Sequence, residues 1–250
     1  MTICPICSAK IRLDPFEKVR DSKSRVVEIL ICGNCLVLLN KNVFADLEVA
    51  EKAEDLQSSG YEGTTPSTTA IAEELVKERS NLLCYLLNHP GDYQQRRSAY
   101  ADIGCGGGHM AIAGCEYFDR VYAIDFDSTG FFLTESLITI PENLQFAMAL
   151  NKIDIKLDLV TMWHVLEHLP DPSTFFGELK SKMNTGAILF GQVPCYRPDY
   201  VDQSHFAFYN ESSLATLLIS SNFEVLEIGF DLENSFMSFI ARSSKEKSEP

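Results

Sequence analysis

The stretch AYADIGCGGGHMAIAGCEYFDRVYAID, residues 99–125, decides the fold. It opens on a short apolar run (AYADIG) and turns through glycines into a segment of helical composition (GHMAIAGCEYF). It ends on a second β-rich run, RVYAID. Strand, tight turn, helix, strand is a βαβ unit, and such a crossover calls for a parallel sheet. Gly104, Gly106 and Gly108 follow the first strand directly. Glycines permit a tight turn and let backbone approach a ligand, and the helix behind them presents free N–H groups. Asp125 ends the next strand, 21 residues beyond Gly104, where a carboxylate can accept hydrogen bonds from both hydroxyls of a ribose. The combination points to a nucleotide-type ligand, with a purely structural turn as the plain alternative. A dinucleotide-binding dehydrogenase would share these features, but Cys105-Gly106-Gly107-Gly108 departs from the G-x-G-x-x-G spacing.

Downstream the alternation continues. STGFFLTESLI reads as a helix, LQFAMAL and LDLVTMW as strands, PSTFFGELKSKM as a helix and AILFGQVP as a strand. A Tyr- and Pro-rich loop, CYRPDYVDQSHFAFYN (195–210), leads into the helix NESSLATLLISSN. The last two strands, EVLEIGFDL and SFMSFIAR, are separated only by Glu233-Asn234, so an antiparallel hairpin is expected. Upstream, Ile71, Leu75, Leu82, Leu83 and Leu86 form an apolar stripe, which predicts a helix over Thr69–Asn88 that His89-Pro90-Gly91-Asp92 ends. The expected fold is α/β: a Rossmann-like, mostly parallel seven-stranded sheet with a C-terminal antiparallel hairpin, helices covering both faces. This domain is assigned to 69–243, after a connector at 41–68 with a short helix at Ala45–Leu56; residues 244–250 form a flexible tail.

Residues 1–40 carry CPIC at Cys4–Cys7 and CGNC at Cys32–Cys35 with 24 residues between them. Paired C-x2-C knuckles fit a tetrahedral four-thiolate zinc site. So short a segment buries little, and a structural metal cross-link supplies its missing stability. Cys84, Cys105, Cys115 and Cys195 have helix, loop, helix and strand-end contexts and read as unliganded.

Composition bounds the function. With 46% apolar and 22% charged residues the chain has the makings of a globular core. Its 21 Lys and Arg against 35 Asp and Glu leave a formal charge of −14, which weighs against nucleic acid and anionic membranes as main partners. A basic stripe from Lys10, Arg12, Lys18, Arg20, Lys23 and Arg25 would be the exception. No apolar run is long enough to span a bilayer, and Met1-Thr2-Ile3-Cys4-Pro5 does not open a secretory signal. A cytoplasmic setting with reduced thiols is expected.

Three segments resemble the class I S-adenosylmethionine-dependent methyltransferases: ADIGCGGGHMA (101–111), VYAIDFDS (121–128) and LDLVTMWHVLEHLPDPSTFFGELKSKMNTGAILFGQVP (157–194). The closest branch carries HVLEH after the fourth strand, and SHFAFYNESSLATLLISSNFEV (204–225) is similar to its C-terminal signature. The resemblance implies S-adenosylmethionine as cofactor. Asp102 would face its amino-acid end, Gly104, Cys105, Gly106 and Gly108 would line its backbone, and Asp125 followed by Phe126 would hold the ribose. Many members place an acid after the third strand to recognise the adenine amino group. This chain has AMALNKID there, with Asn151 or Asp154 as the nearest equivalents. Trp163 is placed beside the adenine or, alternatively, in the core. The cysteine module resembles the zinc-ribbon heads of some sugar-modifying methyltransferases and of some that modify ribosomal RNA.

TMWHVLEHLPDP lies at the carboxyl edge of the sheet, where open α/β folds bind ligands. In a helical turn His164, Glu167 and His168 would share a face. Three readings stay open: Glu167 and His168 line the pocket structurally; a histidine, from His164, His168 or His205, acts as general base; or the cluster with His205 holds a divalent metal. The 195–210 loop is the expected acceptor lid, with Tyr196, Tyr200 and Tyr209 beside Glu167 as candidate substrate contacts. The function implied is methyl transfer to a small-molecule acceptor, a sugar-linked or aromatic hydroxyl. An RNA or protein methyltransferase and a non-catalytic interaction module are the alternatives.

Overall fold

The computed structural model describes residues 2–21, 23–44, 66–88, 97–202 and 204–245. The helix expected at Ala45–Leu56, the turn at His89–Asp92 and residues 246–250 lie outside them. Its centre is the fully buried strand β6 (Ala99–Ile103). Parallel partners flank it: β7 (Arg120–Ile124) and β8 (Leu144–Ala147) on one side, β9 (Leu157–Trp163) and β10 (Met183–Pro194) on the other. The final hairpin, β12 (Phe223–Phe230) and β13 (Phe236–Ser243), completes seven strands in the order β12-β13-β10-β9-β6-β7-β8. β13 pairs antiparallel with both β10 and β12, as expected for two strands joined without a crossover helix.

Side chains of a strand alternate between faces, so each buried strand feeds two apolar layers. Tyr100, Val121, Ala123 and Leu159 face one layer with Leu83 and Leu86 of helix α2 (Thr69–Asn88), Met110 and Ile112 of α3 (His109–Gly114), and Phe131 of α4 (Thr129–Glu135). Ala99, Ala101, Ile103 and Val160 face the other, with Phe176 and Leu179 of α5 (Pro172–Lys182) and Leu214, Leu217 and Leu218 of α6 (Glu211–Ser220). Local chemistry starts the last two helices. Pro172 occupies the first turn of α5 while the Asp171 side chain accepts from the Thr174 N–H. Asn210 and Ser213 form a reciprocal capping box on α6.

The cysteine-bearing segment forms β1 (Thr2–Ile3) paired with β2 (Lys10–Ile11), then β3 (Glu17–Arg20), β4 (Val26–Ile31) and β5 (Leu38–Asn40), with a short α1 (Lys41–Phe44) behind. This second sheet has a fourth strand from far along the chain, β11 (Ala207–Phe208) of the loop before α6, antiparallel to β5. Cys4, Ile6, Ile11, Cys32, Cys35 and Val37 belong to the same apolar layer as α5 and α6. Among the described residues no helix is long and apolar enough to cross a membrane.

Candidate active site

The glycine loop runs from the end of β6 into α3. Gly104 has φ +67°, and a Cβ there would come within 2.2 Å of Val165 Cγ2. Only glycine lets this loop touch the turn that follows β9. Gly106 (φ 51°) donates its N–H to Asp125 Oδ2 at 2.8 Å, and Gly108 (φ 75°) is the left-handed residue that starts α3. Asp125 is 3% exposed at the end of β7, and its other oxygen accepts the Asp127 N–H at 3.1 Å. Cys105 is buried, whereas Phe126 is exposed.

Asp102 sits at the heart of this edge. Its Oδ1 accepts the Thr161 hydroxyl at 2.6 Å, and Thr161 in turn accepts from Tyr100 at 2.6 Å, since its only proton is committed to the carboxylate. Burial, with the Asp125 charge adding to it, pushes the Asp102 carboxyl up to about 7 against the Thr161 hydrogen bond and the Arg79 charge. A carboxylate so desolvated is matched to a cationic group. Thr161 and Arg79 are missed by the sequence reading, because one looks like a strand interior and the other like a solvated helix residue.

The adenine contacts expected from sequence do not converge on one face. Asn151 is exposed in the single turn Leu150–Lys152, whose Leu150 and Ile153 anchor in the α5–α6 layer. Trp163 faces the opposite layer, with its ring 5.3 Å from Phe190 and the Arg79 guanidinium 5.7 Å above it. Trp163 is half-buried there, at the margin of that layer.

After β9 the chain turns sharply. His164 takes φ 54° and a 3-10 turn covers Leu166–His168, so the three polar residues converge without an α-helical face. His164 Nδ1 is 3.4 Å from Glu167 Oε1, and His168 Nε2 is 4.0 Å from the same oxygen. His205 joins them from the loop, its ring 4.8 Å from that of His168. Burial opposes ionisation of Glu167, but the His164 hydrogen bond and the imidazole charges hold its carboxyl below the ordinary value. Burial lowers His205 to about 4, with His168 adding to it, so it is a neutral imidazole near neutrality. The Glu167 carbonyl accepts the Phe206 N–H at 2.8 Å, which ties turn to loop.

The three loop tyrosines do not act as a set. Tyr196 donates to Glu17 Oε2 at 2.7 Å and stacks edge-on against Phe208 at 5.3 Å. Its hydroxyl is thereby engaged with β3. Tyr209 is 3% exposed, and its hydroxyl lies under the influence of Glu167, Cys4 and Cys35. It is a core residue, inserted between the cysteine centre and the turn. Tyr200, half-buried, rests on Phe236 at 5.9 Å and beneath Arg197 at 5.0 Å; of the three it remains nearest to the expected lid position.

The four N-terminal thiols converge. Their sulfurs all lie within 4.8 Å of one another, with Cys4–Cys35 at 3.7 Å and Cys7–Cys32 at 3.6 Å. Zinc–sulfur bonds of about 2.3 Å imply a tetrahedral edge of about 3.8 Å, so the set fits a tetrahedral metal. Burial raises the Cys4 thiol to about 11 and Cys35 higher still; a cation at their centre is what would favour the thiolates.

Comparison with known proteins agrees with this geometry. A family model described as a methyltransferase domain matches residues 75–228. The ubiquinone biosynthesis O-methyltransferase of Pasteurella multocida is 31% identical over 104 residues, 36% of this chain and 43% of that protein. The matched stretch thus spans under half of that relative. Among solved structures, a Clostridium acetobutylicum S-adenosylmethionine-dependent methyltransferase superposes with TM-score 0.53 at 12% identity, covering 67% of this chain and 92% of that one. Magnesium protoporphyrin IX methyltransferase from Synechocystis with bound S-adenosylhomocysteine gives TM-score 0.51 at 16% identity, covering 70% and 84%. At such identities the structures speak for the fold alone. The domain match, spanning more than half of the chain, does more: the chain belongs to the methyltransferase-domain family.

Proposed function

We propose that this enzyme methylates a hydroxyl on a small acceptor, sugar-linked or aromatic. The carrying observation is the contact between Gly104 and Val165. It sets the glycine loop directly against the turn bearing His164, Glu167 and His168, so a cofactor cradle and a proton-accepting cluster share one edge of the sheet. Methyl transfer requires little covalent help from protein, because the bound cofactor supplies a methyl group already activated on a sulfonium. The chain's own residues do the rest. Asp102 pairs with the ammonium of the amino-acid moiety and Asp125 with the ribose hydroxyls, while Asn151 reaches the adenine edge. The histidine-rich edge takes the hydroxyl proton as the acceptor oxygen advances, and the loop at 195–210 excludes water. The similarity to an O-methyltransferase supports an oxygen acceptor.

Zinc at Cys4, Cys7, Cys32 and Cys35 is structural in this reading, and the protein works in the cytoplasm. An RNA acceptor is disfavoured by charge, since basic side chains of the module have acidic neighbours: Arg12 with Asp14, Lys18 with Glu28 and Arg25 with Asp21. Calorimetry with S-adenosylmethionine on the zinc-replete protein tests the core of the proposal. Micromolar binding lost in Asp125→Ala supports it and justifies a screen of hydroxylated acceptors. A folded protein that binds no cofactor would leave the enzyme reading without its first step.

A further inference from the structure

We propose that Phe236 is a specificity-determining residue of the acceptor site: with His164 and Tyr200 it forms an aromatic wall that selects a flat phenolic acceptor over a saccharide. That the ligand of this wall is the methyl acceptor rests on the proposed function; the wall itself does not. Phe236 opens β13 and lies opposite Pro194, the last residue of β10. Because β13 runs antiparallel to β10, its first residue sits at the edge where β9 and β10 end. At that edge the glycine loop meets the turn after β9, and open α/β folds bind their ligands there.

The rings form a continuous row. His164 lies edge-on to Phe236 at 5.0 Å and Phe236 to Tyr200 at 5.9 Å, while the Arg197 guanidinium caps Tyr200 at 5.0 Å. At the inner end Trp163 meets His164 at 6.4 Å. At such spacings aromatic groups attract one another. All four rings are only partly buried, so the row presents aromatic surface to a ligand. Strong local constraints hold it. His164 takes φ 54°, a left-handed backbone that side chains with a Cβ seldom adopt, and its N–H donates to the Gln192 carbonyl at 3.0 Å. On the other side, Asp231 Oδ1 accepts the N–H of Ser235 at 2.6 Å and that of Phe236 at 3.0 Å. Buried Ser235 then ties the hairpin to the 195–210 loop. Its carbonyl accepts the Cys195 N–H at 2.9 Å and its hydroxyl accepts from Arg197 at 3.0 Å. Phe236 and Tyr200 thus belong to one hydrogen-bonded unit.

A saccharide is recognised through its several hydroxyls, each of which needs a partner once water is removed. The polar groups of this wall spend hydrogen bonds within it: Gln192, abreast of Trp163, donates to Ser238 Oγ at 2.9 Å, and Arg197 donates to Ser235. A phenol asks for less. Its ring continues the edge-to-face row, and its single hydroxyl needs one polar partner, which the histidines of the turn supply.

The chain has a single tryptophan, Trp163, at the inner end of the row, so its fluorescence reports occupancy. Zinc-replete full-length protein is titrated with para-cresol and with methyl glucoside, each with and without saturating S-adenosylhomocysteine. Para-cresol is expected to change the emission saturably, and methyl glucoside not to compete. Phe236→Leu keeps apolar bulk without a ring and should weaken para-cresol binding about three- to tenfold, the worth of one aromatic contact. Phe236→Tyr should stay within about twofold of the native protein. S-adenosylhomocysteine affinity, read by calorimetry, should be unchanged in both variants, whereas a general folding defect would lower it. If Phe236→Leu is unfolded by near-ultraviolet circular dichroism, the Phe236 ring resonances of the native protein decide: para-cresol should shift them. No saturable binding of para-cresol, equal affinity in folded Phe236→Leu, displacement by equimolar methyl glucoside, or unshifted Phe236 resonances would overturn the assignment. Titration without S-adenosylhomocysteine keeps this outcome distinct from failure of the methyltransferase reading, which shows as absent cofactor binding.

Discussion

The backbone N–H of Asn40 donates to the carbonyl oxygen of Phe206 at 3.0 Å, joining the end of the cysteine module to the loop that delivers His205. The Asn40 side chain adds a contact to the Asp202 carbonyl at 3.4 Å, and Asn210 reaches back to the Leu36 carbonyl at 2.8 Å. The module therefore forms the outer wall of the acceptor loop. A metal held by its four cysteines would brace that wall.

Metal loss should consequently act on the loop first. Chelation, or Cys35→Ser, is expected to raise amide hydrogen exchange over 201–209 and to weaken acceptor binding. S-adenosylmethionine affinity, set by the glycine loop after β6 and by Asp125 after β7, should change less than about threefold. Exchange mass spectrometry reads the first effect and calorimetry the second. Unaltered exchange at 201–209 would separate the module from the loop.

Asp102 should make cofactor binding pH-dependent. Its carboxyl titrates at about 7 in the folded chain, and an ammonium partner requires the ionised form. Affinity should fall by up to about tenfold per unit as pH drops below that value, and Asp102→Asn should bind weakly at every pH. Stability of the free protein runs the other way. The folded-state pKa is raised above an unfolded value of about 3.9, so this group's contribution is full below that pH and lost as pH rises through about 7. Thermal melts from pH 4 to 8, with and without cofactor, check both signs.

Thr161→Val removes the hydroxyl that donates to Asp102 and leaves Tyr100 without its acceptor. A buried hydrogen bond to a charged group is worth about 1.5–3 kcal/mol. The variant should lose stability of that order, and the pH midpoint of cofactor binding should move upward. An unmoved midpoint would mean that Thr161 only packs.

Gly104→Ala meets two obstacles, a left-handed backbone and the Val165 side chain at 2.2 Å. The strain alone costs about 1–3 kcal/mol, and cofactor affinity should fall with it. Val165→Ala in the same chain relieves the collision but not the backbone, so partial recovery of melting temperature is the expected result. Full recovery would show that φ contributes nothing.

Tyr196→Phe separates packing from recognition. Loss of the hydrogen bond to Glu17 should lower stability by about 1 kcal/mol while leaving acceptor KM unchanged. A raised KM at unchanged stability would place Tyr196 at the acceptor site.

The sequence by itself determined the sheet and its cradle. Buried strands, glycines at left-handed positions, an acid at a strand end and two C-x2-C knuckles are local requirements, and local patterns record them. The helix at Thr69–Asn88 and the hairpin at Phe223–Ser243 follow from the same periodicities. What only the tertiary structure decided concerns partners distant in sequence. β11 pairs with β5 across more than half of the chain, Tyr196 turns toward Glu17, and Trp163 takes the face opposite Asn151. Ser204 orients His168, while buried atoms of Glu167 and His205 find no hydrogen-bond partner among the described residues. Two-residue strands such as β11 carry no periodicity of their own, and a side chain's partner across the fold depends on packing that no local window contains.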